Sequence, residues 1–290
     1  MDTDALRSNI ESWNETGIVG YVALGSTGER VHLNERERLA VIETARASVP
    51  RHLAFVVGVG HQSTRETVEE VRRAAAAGAD AVLAITPHFY RAAMTPGALA
   101  RHYTAVADAS TVPLILYSIP QCTGITLAPE AVARLSEHEN IVGIKESSGD
   151  MLVLGEILRL VPEDFAVLTG HAAVLYTALC AGSQGAILAA ACAAPHLAVA
   201  IHRAVAAGDH ARARDMQRKL APLAHAVTVR YGIGGLKAAL DMCGYAGGVV
   251  RAPLEAPGAE ARREIGRLLE ESALTADEGA FAGNVKEAWT

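Results

Sequence analysis

The chain repeats one pattern: an alanine-rich amphipathic stretch, a glycine turn, a short apolar run and a polar loop. The apolar runs fall at 19–24 (VGYVAL), 53–59 (LAFVVGV), 80–85 (DAVLAI), 113–118 (PLILYS), 141–145 (IVGIK), 165–169 (FAVLT) and 184–189 (QGAILA). They are near-continuous rather than alternating, which marks parallel strands covered on both faces. Helical stretches such as 34–48 and 64–77 lie between them, and Gly78 stands where a helix C-cap belongs. Strand, helix and strand in steady succession predict an α/β chain of the (β/α)8 TIM-barrel class.

Seven strands are legible, not eight. The first element, DALRSNIESWNETG, reads as a helix, and residues 1–3 cannot supply a strand before it. The expectation is therefore a barrel lacking its first strand in this chain. A doubly wound open sheet ranks behind, because GVGHQS and GSTGER are neither a GxGxxG loop nor a P-loop. After residue 190 the strands stop. Stretches near 196–206, 210–226, 233–243 and 258–272 read as helices, too many for one crossover. A barrel over 1–207 and a C-terminal helical extension over 208–290 are expected, with the tail from about 273 loosely held.

Composition narrows the function classes. Half of the 290 residues are hydrophobic and 20% are charged, enough for a sizeable core. A net charge of −6 with no Lys/Arg cluster argues against nucleic acid as a partner. No apolar run reaches membrane-spanning length, and MDTDALRSN is no signal peptide. Cys122, Cys180, Cys192 and Cys243 are scattered without CxxC spacing, which suits free thiols in a cytoplasmic protein. The eleven histidines include no HExxH. No metal and no other cofactor are expected, and the partner is a small molecule.

Barrel enzymes carry their chemistry at the C-terminal ends of the strands. Here those ends hold GSTGE (25–29), GVGHQST (58–64), TPHFY (86–90), YSIP (117–120), KESSGD (145–150) and TGH (169–171). Hydroxyls, glycines and one amine predominate. Glu29 and Glu146 stand alone, so no carboxylate pair is placed for acid–base work. Most strand lysines sit at edges and send their charge to water. This chain has only four, Lys145, Lys219, Lys237 and Lys286, against 22 arginines among its 26 basic residues. Arginine solvates the surface here, and arginine cannot lose a proton and attack a carbonyl. Lys145 is thus a candidate nucleophile.

Strand alternation places Lys145 on one face with Gly143 and Ser147, opposite Val142 and Ile144, and the small Gly143 would leave space beneath the lysine stem. Tyr117 shares a face with Ile115. If both faces point inward, a phenol and an amine come from neighbouring strands about 5 Å apart. A desolvated lysine becomes nucleophilic toward a ketone, forming an iminium that acts as an electron sink, and a tyrosine beside it can shuttle a proton. Tyr117 read alone is equally a buried ring with a satisfied hydroxyl. GSTGE offers Ser26 and Thr27 at a helix entrance, either as a carboxylate cradle or as a plain N-cap.

GSTGE, TPHFY, LILYSIPQCTG, IVGIKESSGD and GSQGAI, in that order from residue 4 to about 255, together resemble the dihydrodipicolinate synthase / N-acetylneuraminate lyase family of Schiff-base barrels. Within it, LYSIPQCTG, RYGIGGLKAALDMCGYAGG and RAPL are most similar to the 4-hydroxy-2-oxoglutarate aldolase branch. The resemblance implies that Lys145 is the Schiff-base lysine and Tyr117 the proton-transfer tyrosine. It implies that Ser26 and Thr27 hold the substrate carboxylate, that Ser147, Gly170 and Ile187 line the site, and that the chain forms a homotetramer without a metal.

Three departures from the family pattern matter. Cys122 stands where the synthase carries an arginine for its aldehyde substrate. Phe89 aligns with a relay tyrosine borrowed from a neighbouring subunit, with Tyr90 beside it. The opening strand with its Thr-Pro is lacking. The expected function is a class I aldolase cleaving a 4-hydroxy-2-oxo acid such as 4-hydroxy-2-oxoglutarate to pyruvate and glyoxylate, with His88 and His171 near the variable end of the substrate. The alternatives are dihydrodipicolinate synthase, a sugar-acid dehydratase, or a catalytically inactive truncated homologue.

Overall fold

A computed structural model describes residues 1–273; the expectation for the tail beyond them lies outside the described residues. Its Cα packing forms two units. One comprises residues 19–171 and 180–187, the other residues 1–18, 172–179 and the described residues from 188 onward.

The first unit holds seven strands: β1 (Gly20–Ala23), β2 (Ala54–Val59), β3 (Ala81–Ile85), β4 (Leu114–Ser118), β5 (Ile141–Glu146), β6 (Ala166–Thr169) and β7 (Gly185–Ala186). They pair in sequence order, every pair parallel, as the (β/α)8 class requires. Helices α2 (Glu35–Ser48), α3 (Thr64–Ala76), α4 (Pro96–Asp108), the short α5 (Pro120–Thr123), α6 (Pro129–Leu135) and α7 (Met151–Leu160) connect them; α1 (Thr3–Trp13) precedes β1. Buried Val56, Leu83, Ile115 and Tyr117 form one cluster, joined by Val22, Ile85 and Ile119. Side chains from β1 to β4 meet there, so the sheet curls and this is its inner face. Among the described residues β1 and β7 end the sheet, and the element before β1 is a helix, as expected of a barrel lacking its first strand in this chain.

The second unit is helical: α1, then α9 (Pro195–Ala206), α10 (His210–His225), a π turn (Ala226–Arg230), α11 (Gly232–Met242) and α12 (Ala259–Ser272), with α8 (Leu175–Ala181) contributing its first residues. The Asn9 amide exchanges two hydrogen bonds with the Ala246 backbone, at 2.9 and 2.8 Å, and Trp13 Nε1 donates to the Cys192 carbonyl at 3.0 Å. These bonds tie the first helix to residues more than 170 positions away. The fully buried Ile201, Met216, Leu220 and Ile265 belong to the apolar stripes of three helices, α9, α10 and α12.

One buried histidine makes stability pH-dependent. His102 on α4 bonds through Nδ1 to Thr64 Oγ1 at 2.9 Å, while its Nε2 is buried and meets no acceptor among the described residues. Burial disfavours the imidazolium and lowers its pKa from 6.5 to about 4. The unfolded chain binds this proton below pH 6.5 and the native chain does not, so stability present at neutral pH is lost as pH falls from 6.5 toward 4. Between pH 7 and pH 4.5 the native protein is expected to lose about 2 kcal/mol through this group. Urea unfolding of the parent and of His102→Gln at both pH values checks it: the variant's loss should be smaller by that amount.

Candidate active site

The sequence puts its amine and its phenol on adjacent strands, and the register brings them level. Tyr117 on β4 pairs directly with Lys145 on β5. Lys145 Nζ lies 4.4 Å from the centroid of the Tyr117 ring. Both residues are buried, Lys145 at 8% exposure and Tyr117 at 4%. The Tyr117 hydroxyl lies 3.2 Å from Ser26 Oγ. Burial raises the Tyr117 pKa; the Ser26 hydrogen bond opposes the shift, the Cys122 thiol adds to it, and the Ser147 hydroxyl opposes it. The phenol therefore holds its proton through the neutral range, with the Ser26 hydroxyl at hydrogen-bond distance.

Three local expectations are corrected. Gly143 does not make room beneath the lysine: a Cβ there would lie 2.5 Å from the Ala166 carbonyl oxygen, so this glycine lets β6 approach β5. Space for the lysine comes from Gly170, whose Cβ would lie 1.8 Å from Ser147 Oγ and 2.8 Å from Lys145 Cε. Nor does Val142 share the buried environment of Ile144. A bulge opposite Leu114 and Ile115 skips Val142, leaving it 36% exposed while Ile144 is fully buried.

The third correction concerns Ser26 and Thr27, which do not stand at a helix entrance. They lie in a 3₁₀ turn, Ser26–Gly28, followed by Glu29 in the left-handed region (φ 52°) and a second 3₁₀ turn, Arg30–His32. Helix α2 starts later, with Asn34 and Glu37 forming its capping box. The helix dipole thus does not reach the two hydroxyls, and any carboxylate they hold is held by local donors.

The remaining residues sit on the ends of β5, β6 and β7. Ser147 follows β5, and its carbonyl and that of Ser148 accept from Gln121 Nε2 at 3.0 and 2.9 Å. Glu146 is 1% exposed; its carboxylate accepts from the Ser148 amide at 2.8 Å, and burial raises its pKa. The Gly170 amide donates to the Glu146 carbonyl at 2.6 Å. The seventh strand is shorter than the 184–189 run, yet the Ile187 amide still donates to the Thr169 carbonyl at 2.9 Å, which holds Ile187 at the end of β6. His171 packs against Gly149, and His88 is held by Gln62, whose Oε1 accepts from the His88 and Phe89 amides at 2.8 and 2.7 Å. The Phe89 and Tyr90 rings meet edge to face, 5.1 Å apart, and both are exposed. Cys122 is exposed; desolvation of its thiol pushes the pKa up, and the Lys145 charge opposes this.

A cavity of about 320 Å³ is lined by Ser26 and Tyr117 and also by Arg30, Arg38, Gln62 and His88. The two arginines were not singled out from sequence. They sit in a charged stretch, GERVHLNERERL. Among the described residues no group of three or more His, Cys, Asp or Glu is placed to hold a metal, and no helix is long and apolar enough to cross a membrane.

Comparison with known proteins gives the family and the fold. A sequence model of the dihydrodipicolinate synthetase family matches residues 1–272. The chain is 38% identical over 257 residues to 4-hydroxy-tetrahydrodipicolinate synthase of Methanothrix thermoacetophila, covering 88% of this chain and 85% of that one. It is 33% identical to the Geobacter metallireducens protein of the same name, over 94% of each chain. Among solved structures, dihydrodipicolinate synthase of Thermotoga maritima superposes with a TM-score of 0.90 at 29% identity, covering 94% and 93% of the two chains. A prophage protein of the same family from E. coli K12, solved in complex with pyruvate, superposes at 0.87 with 29% identity over 94% and 93%. These relatives carry the name of the synthase, the second of the sequence's readings, rather than that of the aldolase. The match over nearly all of the described residues and the shared fold place the chain in the dihydrodipicolinate synthetase family, as a carbon–carbon lyase of the Schiff-base aldolase type.

Proposed function

We propose that Lys145 forms an imine with the C2 ketone of a pyruvate-type 2-oxo acid, and that Tyr117 moves the proton that accompanies making or breaking the adjacent C–C bond. The observation that carries this is the Lys145 amine 4.4 Å from the centre of the Tyr117 ring, inside a curled sheet and away from bulk water. The neutral amine adds to the ketone and water leaves, giving an iminium. In the cleavage direction Tyr117 passes its own proton along its hydrogen bond to Ser26 and on to water in the adjoining cavity as it takes the C4 hydroxyl proton, the C3–C4 electrons pass into the iminium, and an enamine and an aldehyde result. Protonation of the enamine and hydrolysis release pyruvate and restore the amine. In the synthetic direction the enamine attacks the aldehyde carbon and Tyr117 protonates the alkoxide. Ser26 and Thr27 supply hydroxyls for the oxo acid's carboxylate, with Ser147, Gly170 and Ile187 lining the site.

The aldehyde partner divides two readings. Condensation of pyruvate with aspartate semialdehyde comes first, supported by the names of the curated relatives. Cleavage of 4-hydroxy-2-oxoglutarate comes second, favoured by Cys122, a thiol on α5 where the resemblance places an arginine in the synthase. The homotetramer that the resemblance implies is part of this proposal. Borohydride reduction with pyruvate, followed by mass spectrometry, should label the peptide bearing Lys145. A folded protein that takes no label is a catalytically inactive homologue. Product assays with 4-hydroxy-2-oxoglutarate, and with pyruvate plus aspartate semialdehyde, then separate the two readings.

Gly170 offers a test of the packing around the amine. Its replacement by alanine drives a Cβ into Ser147 Oγ and Lys145 Cε. Displacement of the nucleophile by a fraction of an ångström is expected to lower kcat/KM by about 10²-fold. The overpacking itself should cost about 1–3 kcal/mol in a urea titration. Unchanged kinetics in Gly170→Ala would mean that the lysine does not react from this position.

A further inference from the structure

The turn that carries Ser26 is held against β2 by one steric and one polar contact. The turn is unusual in its backbone: Leu24 (φ 58°) and Glu29 (φ 52°), both non-glycine residues in the left-handed region, bracket it. Such conformations persist where surrounding contacts impose them. One contact is steric. Gly58 on β2 lacks the Cβ that would lie 2.2 Å from the Leu24 carbonyl oxygen, so the turn seats directly on the strand. The other is polar. Arg30, two residues beyond the turn, donates from Nε to the Gly58 carbonyl at 3.2 Å. Its other end pairs with Glu70 of α3. Glu70 also accepts from Arg38 at 2.8 Å and from the Gly60 amide at 2.8 Å. One carboxylate thus joins the turn, α2 and the end of β2, with Arg30 and Glu70 side chains each only 11% exposed.

We propose that Arg30 is a positioning residue for proton transfer: by fastening the Ser26 turn to Gly58 and Glu70, it sets the Ser26–Tyr117 hydrogen bond that poises the phenol. The inference rests on the assignment of Lys145 and Tyr117 above. Arginine suits the task because its planar fork donates in two directions at once, to a carbonyl and to a carboxylate, which a lysine ammonium on a flexible stem cannot reproduce. Arg38 is the internal control. It faces the same cavity, carries the same charge and meets the same carboxylate, but it makes no bond to Gly58 among the described residues.

The test compares Arg30→Gln, Arg30→Lys and Arg38→Gln by steady-state kinetics, solvent deuterium isotope effect and borohydride trapping with pyruvate. For Arg30→Gln and Arg30→Lys, kcat should fall about tenfold with KM and trapping within about twofold of the parent, and the isotope effect should rise as proton transfer becomes limiting. For Arg38→Gln, kcat should stay within about twofold of the parent. Equal losses in Arg30→Gln and Arg38→Gln would overturn the proposal, because cavity charge and not the clamp would then be responsible. So would an unchanged kcat in folded Arg30→Lys, or a loss of trapping in parallel with kcat. Should neither Arg30 variant fold, Gly58→Ala, which lifts the turn without touching a charge, carries the same expectation and the same refutation. Absence of trapping in the parent would instead refute the imine assignment itself, a separate outcome.

Discussion

Replacement of Lys145 by arginine is expected to abolish pyruvate labelling and to lower turnover by roughly 10⁴-fold or more, in whichever direction the reaction is assayed. The substitution keeps a positive charge and a long stem at the end of β5, so the field at the site and the contact with the Tyr117 ring are broadly retained. What is lost is an amine that can become neutral and bond to carbon. A charge-only role for Lys145, such as pairing with the substrate carboxylate, would leave much of the activity in the arginine variant. Labelling also discriminates among lysines: Lys237 donates to the Val249 carbonyl at 2.6 Å in the helical unit, and an adduct there would point away from Lys145. Thermal unfolding of the variant should confirm a native fold, since Gly170 leaves little slack beside the lysine stem.

The amine and its phenol were legible in the sequence because both depend on short-range rules. A near-continuous apolar run fixes a parallel strand, the period of two fixes a face, and the succession of βα units makes β4 and β5 neighbours. The same rules place six of the seven strands within a residue or so at each end. They fail where one residue breaks the period. The bulge at Val142 shifts the register of β5, and nothing in IVGIK distinguishes a bulged strand from a regular one. They fail again for glycines, whose purpose is set by whatever approaches them. Gly143 and Gly170 look alike in sequence, yet one admits a carbonyl of β6 and the other admits the lysine.

The Arg30–Glu70–Arg38 cluster was illegible for a different reason. Its members lie 40 and 32 positions apart along the chain, and each alone resembles an ordinary surface charge. Only the tertiary fold turns them into a buried network. The seventh strand illustrates the limit of apolarity as a signal: QGAILA is as apolar as its neighbours, but only Gly185 and Ala186 pair with β6 as strand. The glycine turn before it and the 3₁₀ turn from Ala190 leave it little extended backbone.

Tyr117→Phe separates proton transfer from imine formation. The phenyl ring would keep its place 4.4 Å from the lysine nitrogen and its packing on Val56, Leu83 and Ile115. Only the hydroxyl and its 3.2 Å contact with Ser26 are removed, so stability should change by no more than about 1 kcal/mol. Because Tyr117 takes no part in the bond from nitrogen to C2, borohydride should still trap pyruvate on Lys145. Turnover should nevertheless fall by roughly 10²- to 10⁴-fold, the usual contribution of a positioned acid–base group. The raised pKa of the buried phenol sharpens the expectation. Such a phenol gives up its proton reluctantly and its phenolate takes one up readily, which suits a group that must deprotonate a substrate hydroxyl only as the C–C bond parts. Water standing in its place would have no fixed orientation toward C4. A phenylalanine variant that turned over at the parent rate while still forming the imine would show that the proton travels by another route, and the level pairing of Tyr117 with Lys145 would then be a packing feature of adjacent strands.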